Sequence, residues 1–255
     1  PNLCIKNDAS YHDMYYMNYD DTLLFKKRMP TSAMVPYTEF CKNHEHPERV
    51  MRLLFNDDDY WKNHLNADKL YEVLFKQASN VQSTELRKSM SLYDLFTDDE
   101  IYDLWQINNA WWYINYGACP LNGGKQPYSQ RNLLRKIISD ADSCIALPHP
   151  GATLRYGHDT MVMPLTCLMD LDGMGMQVSD LEQLAYKGWN NYRIFPMACN
   201  IQLVFYHKKG SKDILVKVLR NENEATLPIK TDIAPYYHWK DVRQYYLDKL
   251  NKFTE

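Results

Sequence analysis

The residues of this chain best suited to chemistry are His158 and Asp159, in the stretch GATLRYGHDTMVMPL from Gly151 to Leu165. A histidine beside a carboxyl group at a helix start suits an anionic reactant. Unpaired backbone N–H groups and the positive end of the peptide dipole favour a group such as phosphate there. The imidazole adds a donor, and a cation when protonated. A carboxyl group kept protonated by burial or by nearby negative charge can hand its proton to a leaving oxygen. A plainer assignment also fits. Asp159 can act as a helix N-cap, worth about 1 kcal/mol, with His158 a polar residue of the preceding loop, and spacing alone leaves both readings open.

The pair has to be held by a strand, a turn and a helix. Ala152 to Tyr156 have strand character, and Gly157 lets the backbone bend without a Cβ clash. The apolar positions Met161, Val162, Leu165, Leu168 and Met169 predict a helix directly afterwards, with Pro164 tolerated as a first-turn proline. Upstream, Pro47 opens a helix that should bury Val50, Leu53 and Leu54, and Leu65 to Ala78 give another with Leu70, Val73 and Leu74 inward. Thr97 followed by Glu100 is a capping box for a helix over 97–115, with Ile101, Leu104, Trp105, Asn108 and Trp112 on one face. A helix over 129–142 presents Leu134, Ile137, Ile138 and Ala141 on one side and Arg131 and Arg135 on the other. Asn200 to His207 and Asp213 to Arg220 read as two strands of a hairpin joined by KKGSK, and Pro235 precedes a last helix aligning Trp239, Val242, Tyr246, Leu250 and Phe253. Pro1 to Pro47 show little periodicity outside Leu23 to Phe25.

Other clusters point to plainer roles. Cys41, His44 and His46 have a metal-like look, but two histidines one residue apart beside Pro47 fit a helix-capping loop better. Asp57, Asp58 and Asp59 lack the ligand alternation and central glycine of a calcium loop and read as a solvated helix junction. NGGK, ending at Lys125, lacks the spacing of a phosphate loop. Trp111 and Trp112 invite a sugar-binding role, yet aromatics at helical spacing are core far more often. The six cysteines, Cys4, Cys41, Cys119, Cys144, Cys167 and Cys199, contain no CxxC pair and suit either disulfides or free thiols. No metal and no cofactor is expected. With 45% hydrophobic and 24% charged residues the chain is ordinary for a globular protein, and its net charge of −3 argues against a broad basic surface for nucleic acid. No apolar run reaches the ~18 residues of a membrane span.

YGHDTMVMPL resembles the carboxy-terminal His-Asp motif of the histidine acid phosphatases, which include phytases and multiple inositol polyphosphate phosphatases. YGACPLNGGKQPYSQRNLLRKII from Tyr116 to Ile138, and FPMACNIQLVFYHKKGSKDILVKVLRNENEATLPI from Phe195 to Ile229, are similar to bacterial members near the inositol polyphosphate phosphatases. The resemblance implies that His158 contacts the phosphate and Asp159 protonates the leaving alcohol, with no metal. It also implies export from the cytoplasm, although no signal peptide stands at Pro1. The family nucleophile lies in an RHGxRxP motif, and none of His12, His44, His46, His64, His149, His158, His207 or His238 has an Arg-His-Gly context. The chain is therefore expected to be the later part of a longer enzyme. Many inositol polyphosphate phosphatases carry His-Ala-Glu at the second motif, so His-Asp leaves the substrate subclass open.

The expected fold class is α/β, part of a histidine-phosphatase sheet domain with an inserted mainly α-helical subdomain. Residues 1–143 form the mainly helical part, and residues 144–255 the closing half of the α/β domain with the His-Asp motif. The expected activity is hydrolysis of a small-molecule phosphate ester, phytate or a similar organic phosphate, through a phosphohistidine. A non-catalytic phosphatase-like or sugar-binding module is the alternative. The phosphoglycerate mutase branch of the same architecture fits less well, because it uses a glutamate donor.

Overall fold

The structure, a computed structural model, describes residues 29–254. The reading of Leu23 to Phe25, and the residues Cys4 and His12, lie outside the described residues. Contacts divide the chain into a smaller unit, Met34–Trp111, and a larger one that includes Trp112 onward. The division falls inside one long helix, whereas the boundary drawn from sequence, between residues 143 and 144, falls near the end of a later one.

Helices alone make up the described smaller unit. They are α1 (Thr31–His44), which begins three residues ahead of the unit, α2 (Glu48–Leu54), α3 (Asp58–His64), α4 (Ala67–Val81) and α5 (Asp98–Tyr116), which runs on into the larger unit. Three of the starts have a visible cause. Asp57 accepts from the backbone N–H groups of Asp59 at 2.9 Å and Tyr60 at 3.1 Å, so the acidic run does sit at a helix junction. Asn66 accepts from Lys69 N–H at 2.9 Å. Thr97 N–H donates to Glu100 at 2.8 Å, and Glu100 N–H donates to the Thr97 hydroxyl at 3.3 Å, which is the reciprocal capping box.

The core of this unit is Val50, Met51, Trp61, Tyr71, Ala78, Phe96 and Leu104. Two expected core positions turn outward: Leu53 is 59% and Leu54 42% exposed, because the two-turn α2 is oriented by Val50 and Met51 instead. Val73 and Asn108 are likewise exposed, while Leu70 and Leu74 pack at the edge of the core.

In the larger unit the sheet is antiparallel and centred on β2 (Ile214–Arg220). β1 (Ile201–His207) pairs along its full length as the expected hairpin, with Ile201 opposite Arg220 and His207 opposite Ile214. The other edge of β2 is shared by β3 (Asn223–Glu224) and β4 (Tyr237–His238). α6 (Arg131–Ile145), α7 (Asp159–Met169), α8 (Asn191–Ile194) and α9 (Trp239–Asn251) complete the unit. Leu134 and Ile138 of α6, Leu168 of α7, Val216 and Val218 of β2, and Val242, Tyr246 and Leu250 of α9 share one core. Arg135 is exposed as expected, whereas Arg131 is half-buried beside the Phe253 ring.

Two expectations around the motif are corrected. Ala152 to Tyr156 pair with no strand among the described residues, and the backbone reaches the motif as irregular chain. Strand propensity there reflects residue type, and without a pairing neighbour it produces no ladder. Pro164 is the sixth residue of α7, past the first turn, so the Thr160 carbonyl loses its helical N–H partner. At Gly157 a Cβ would indeed clash, its nearest neighbour being the sulfur of the flexible Met161 side chain at 2.8 Å.

Candidate active site

His158 is the residue that caps α7. Its backbone is extended (φ −107°, ψ 163°), and its carbonyl accepts from the N–H groups of Met161 at 2.9 Å and Val162 at 3.2 Å, while its side chain makes no capping bond. Asp159 is thus the first helical residue rather than the cap. Its carboxylate accepts from Thr160 N–H at 2.7 Å. Both side chains are exposed and stand at the helix end whose dipole favours an anion.

The rest of α7 is anchored in the interior. Met163 to Met169 are all buried, so the helix is apolar all round rather than along one stripe. Asp170 ends it in the left-handed region (φ 53°), and its carboxylate accepts from Gly175 N–H at 2.7 Å. A Cβ on Gly175 would lie 2.8 Å from that carboxylate and 2.9 Å from the Cys167 carbonyl, so the glycine is required by close approach. Two side chains of α9 close the C-terminal carbonyls: Lys249 donates to Leu168 at 2.6 Å and the Tyr246 hydroxyl to Met169 at 2.7 Å. Burial lowers the Lys249 pKa, with the nearby Asp170 opposing it, and burial pushes the Tyr246 phenol well up. A cation at this end complements the negative pole of the helix.

The chain on either side of the motif is also tied down. Arg155 forms an ion pair with Asp140 of α6, and the Thr153 hydroxyl lies 3.3 Å from the Cys144 thiol of the same helix. Cys199 is half-buried. Burial, then the charge of Asp159, pushes its thiol up, which places the segment around Cys199 within electrostatic reach of the motif. That segment is held by Asn221, whose side chain donates to the carbonyls of Arg193 and Ile194 at 3.2 Å each and accepts from Asn200 N–H at 3.0 Å. Sequence reasoning named Cys199 only as one of six cysteines and missed Asn221. The only available signal was Asn221 just past a strand, a residue type that tolerates the left-handed backbone it adopts here (φ 50°).

The other candidate clusters resolve into structural roles. His44 pairs with Asp103 at 2.7 Å, and burial pushes the Cys41 thiol up to about 11, against a hydrogen bond with Tyr37. Among the described residues no group of three His, Cys, Asp or Glu side chains is placed to hold a metal ion. The open groove lined by His46, Glu48, Arg49, Arg52, Leu53 and Glu100 lies in the smaller unit and includes neither motif residue. Trp112 packs on Phe195, with ring centroids 4.6 Å apart, and on Tyr116 at 5.1 Å. The five described cysteines are free thiols. No described helix is long and apolar enough to cross a membrane.

The architecture is a mixed helix and sheet fold with an antiparallel sheet, similar to that of one solved phosphatase. The multiple inositol polyphosphate phosphatase of Bifidobacterium longum, solved in complex with inositol hexasulfate, superposes with a TM-score of 0.60 at 15% identity. The match covers 95% of this chain and 58% of that one, so the chain spans less than two thirds of the neighbour. No protein-family model and no curated protein matches the sequence.

Proposed function

We propose that this chain supplies the acid half of a histidine-type phosphatase acting on phosphomonoesters of the inositol polyphosphate kind. The observation that carries the reading is the placement of His158 and Asp159 at the start of α7, in a chain whose fold resembles an inositol polyphosphate phosphatase. In the first step a histidine nitrogen attacks phosphorus as the P–O bond to the alcohol breaks. Asp159 gives its proton to the departing oxygen, and His158 with the helix N-terminus balances charge on the transferring group. In the second step water attacks the phosphohistidine, and the Asp159 carboxylate takes up the proton that water releases.

The nucleophile is not among the 255 residues, which hold no RHGxRxP segment, so in this reading it comes from protein outside them. The smaller helical unit then corresponds to the inserted subdomain, and the enzyme is exported. A phosphatase-like binding module without catalysis is the competing reading, and the missing nucleophile favours it.

The deciding test uses the protein encoded by the complete gene. Asp159→Asn should slow hydrolysis of an alkyl phosphate or inositol hexakisphosphate by ~100-fold or more, and that of an aryl phosphate, whose phenolate leaves unaided, far less. Equal losses on both substrates remove Asp159 as donor, and an inactive wild type removes the phosphatase reading.

A further inference from the structure

His238 stands where three segments of the larger unit meet. It ends β4, caps α9, and its ring lies between Asp213, at the end of the β1–β2 loop, and Asp232, in the loop before β4. Nδ1 is 2.8 Å from one Asp213 carboxylate oxygen, and Nε2 is 3.2 Å from one of Asp232. Ionised carboxylates only accept hydrogen bonds, and a neutral imidazole has a single N–H. Two such contacts on one ring are both hydrogen bonds only in the imidazolium. With one proton gone, a ring lone pair faces a carboxylate oxygen.

We infer that His238 is a proton-operated latch: charged, it ties both loops to the start of α9, and on losing its proton it releases the Asp232 loop. The Asp232 arm is the weaker, being longer and attached to a carboxylate that is 79% exposed against 44% for Asp213. The backbone of His238 cannot follow a departing loop. It pairs with Leu215 of β2, and its neighbours are fixed: Tyr237 is buried with its hydroxyl accepting from Leu227 N–H at 3.0 Å, and the Trp239 indole donates to Asp142 at 2.9 Å.

Other charges around the ring do not replace the two carboxylates. Lys212, Lys230 and Lys240, from the same three segments, are exposed, as is Asp241 in the first turn of α9. His207, across β2 on β1, is engaged with the Ser211 carbonyl at 2.9 Å. The positive end of α9 opposes protonation. The hydrogen bonds that the charged ring donates to Asp213 and then Asp232 outweigh desolvation and raise the His238 pKa above its ordinary value. The sign follows from linkage: a group raised in the folded state contributes stability that is full below its unfolded pKa and is lost as pH rises through the folded one. The latch is closed in acid and opens on the alkaline side of an ordinary histidine.

The test is an NMR titration of the histidine rings in the full-length protein, with His238 assigned by its loss in His238→Gln. Amide exchange of residues 230–234 is followed in parallel and corrected for its intrinsic pH dependence. The expected midpoint for His238 lies above that of an exposed histidine and falls in both Asp213→Asn and Asp232→Asn. Protection of residues 230–234 should drop across the same midpoint in the wild type and show no step in Asp232→Asn, a substitution at an exposed side chain. An ordinary midpoint, or a raised midpoint with no step in loop protection, overturns the latch.

Discussion

The hydroxyl of Tyr246 donates to the carbonyl oxygen of Met169 at 2.7 Å, so the last turn of the motif helix is closed by a side chain from α9, 77 residues later in the chain. Both ends of that bond are buried. Tyr246→Phe keeps the ring and strands the carbonyl, which costs about 1–3 kcal/mol. Urea unfolding should show a lower midpoint with an unchanged slope.

Close approach makes a second, independent demand at the same helix end. Gly175→Ala would push a methyl group against the Asp170 carboxylate and the Cys167 carbonyl. The expected loss is about 1–3 kcal/mol, as for other overpacked sites. Gly151→Ala, where an added Cβ meets nothing within 4 Å, is the control and should be close to neutral.

Acid should loosen the smaller unit through Glu100. Burial raises its pKa, but hydrogen bonds from Arg49 and Thr97 outweigh burial and leave it below the ordinary carboxylate value. A lowered pKa means stability that is present above the unfolded value and is lost as pH falls through the folded one. Glu100→Gln should therefore destabilise at neutral pH and flatten the acid limb of the melting temperature against pH. A limb as steep as that of the wild type would take Glu100 out of the acid response.

His158→Ala in the product of the complete gene should lower turnover on alkyl and aryl phosphates alike, because its role in the proposed reaction is to hold the phosphoryl group whichever oxygen leaves. The expected loss is on the order of 100-fold, as for other groups that stabilise charge in a transition state. Near-normal activity would remove the phosphate contact.

Local rules were legible wherever the responsible residues are neighbours in sequence. Thr97 with Glu100, the two alternating strands around KKGSK, and the helix after the His-Asp pair all stand where spacing put them. Failures came where a distant partner decides. Val50 faces inward as expected, but Met51 joins it in place of Leu53 and Leu54 because Trp61 and Tyr71 share that core, and a seven-residue periodicity is too short to show it. The strand character of Ala152 to Tyr156 needs a pairing neighbour that the sequence cannot name. At the candidate site His158 and Asp159 are neighbours in sequence and so stand out together, whereas the Asn221 clamp, 62 residues beyond Asp159, gives no such signal.

β1 has a further consequence for handling the protein. Ile201, Leu203 and Phe205 pack against the core, and the outer edge of the strand pairs with no other strand among the described residues. IQLVFYH contains no proline and no formally charged residue, the composition from which stacked β-assemblies grow. Any event that bares this edge turns solubility into a matter of concentration and time, and a lysine in place of Gln202 or Val204 is the natural protection.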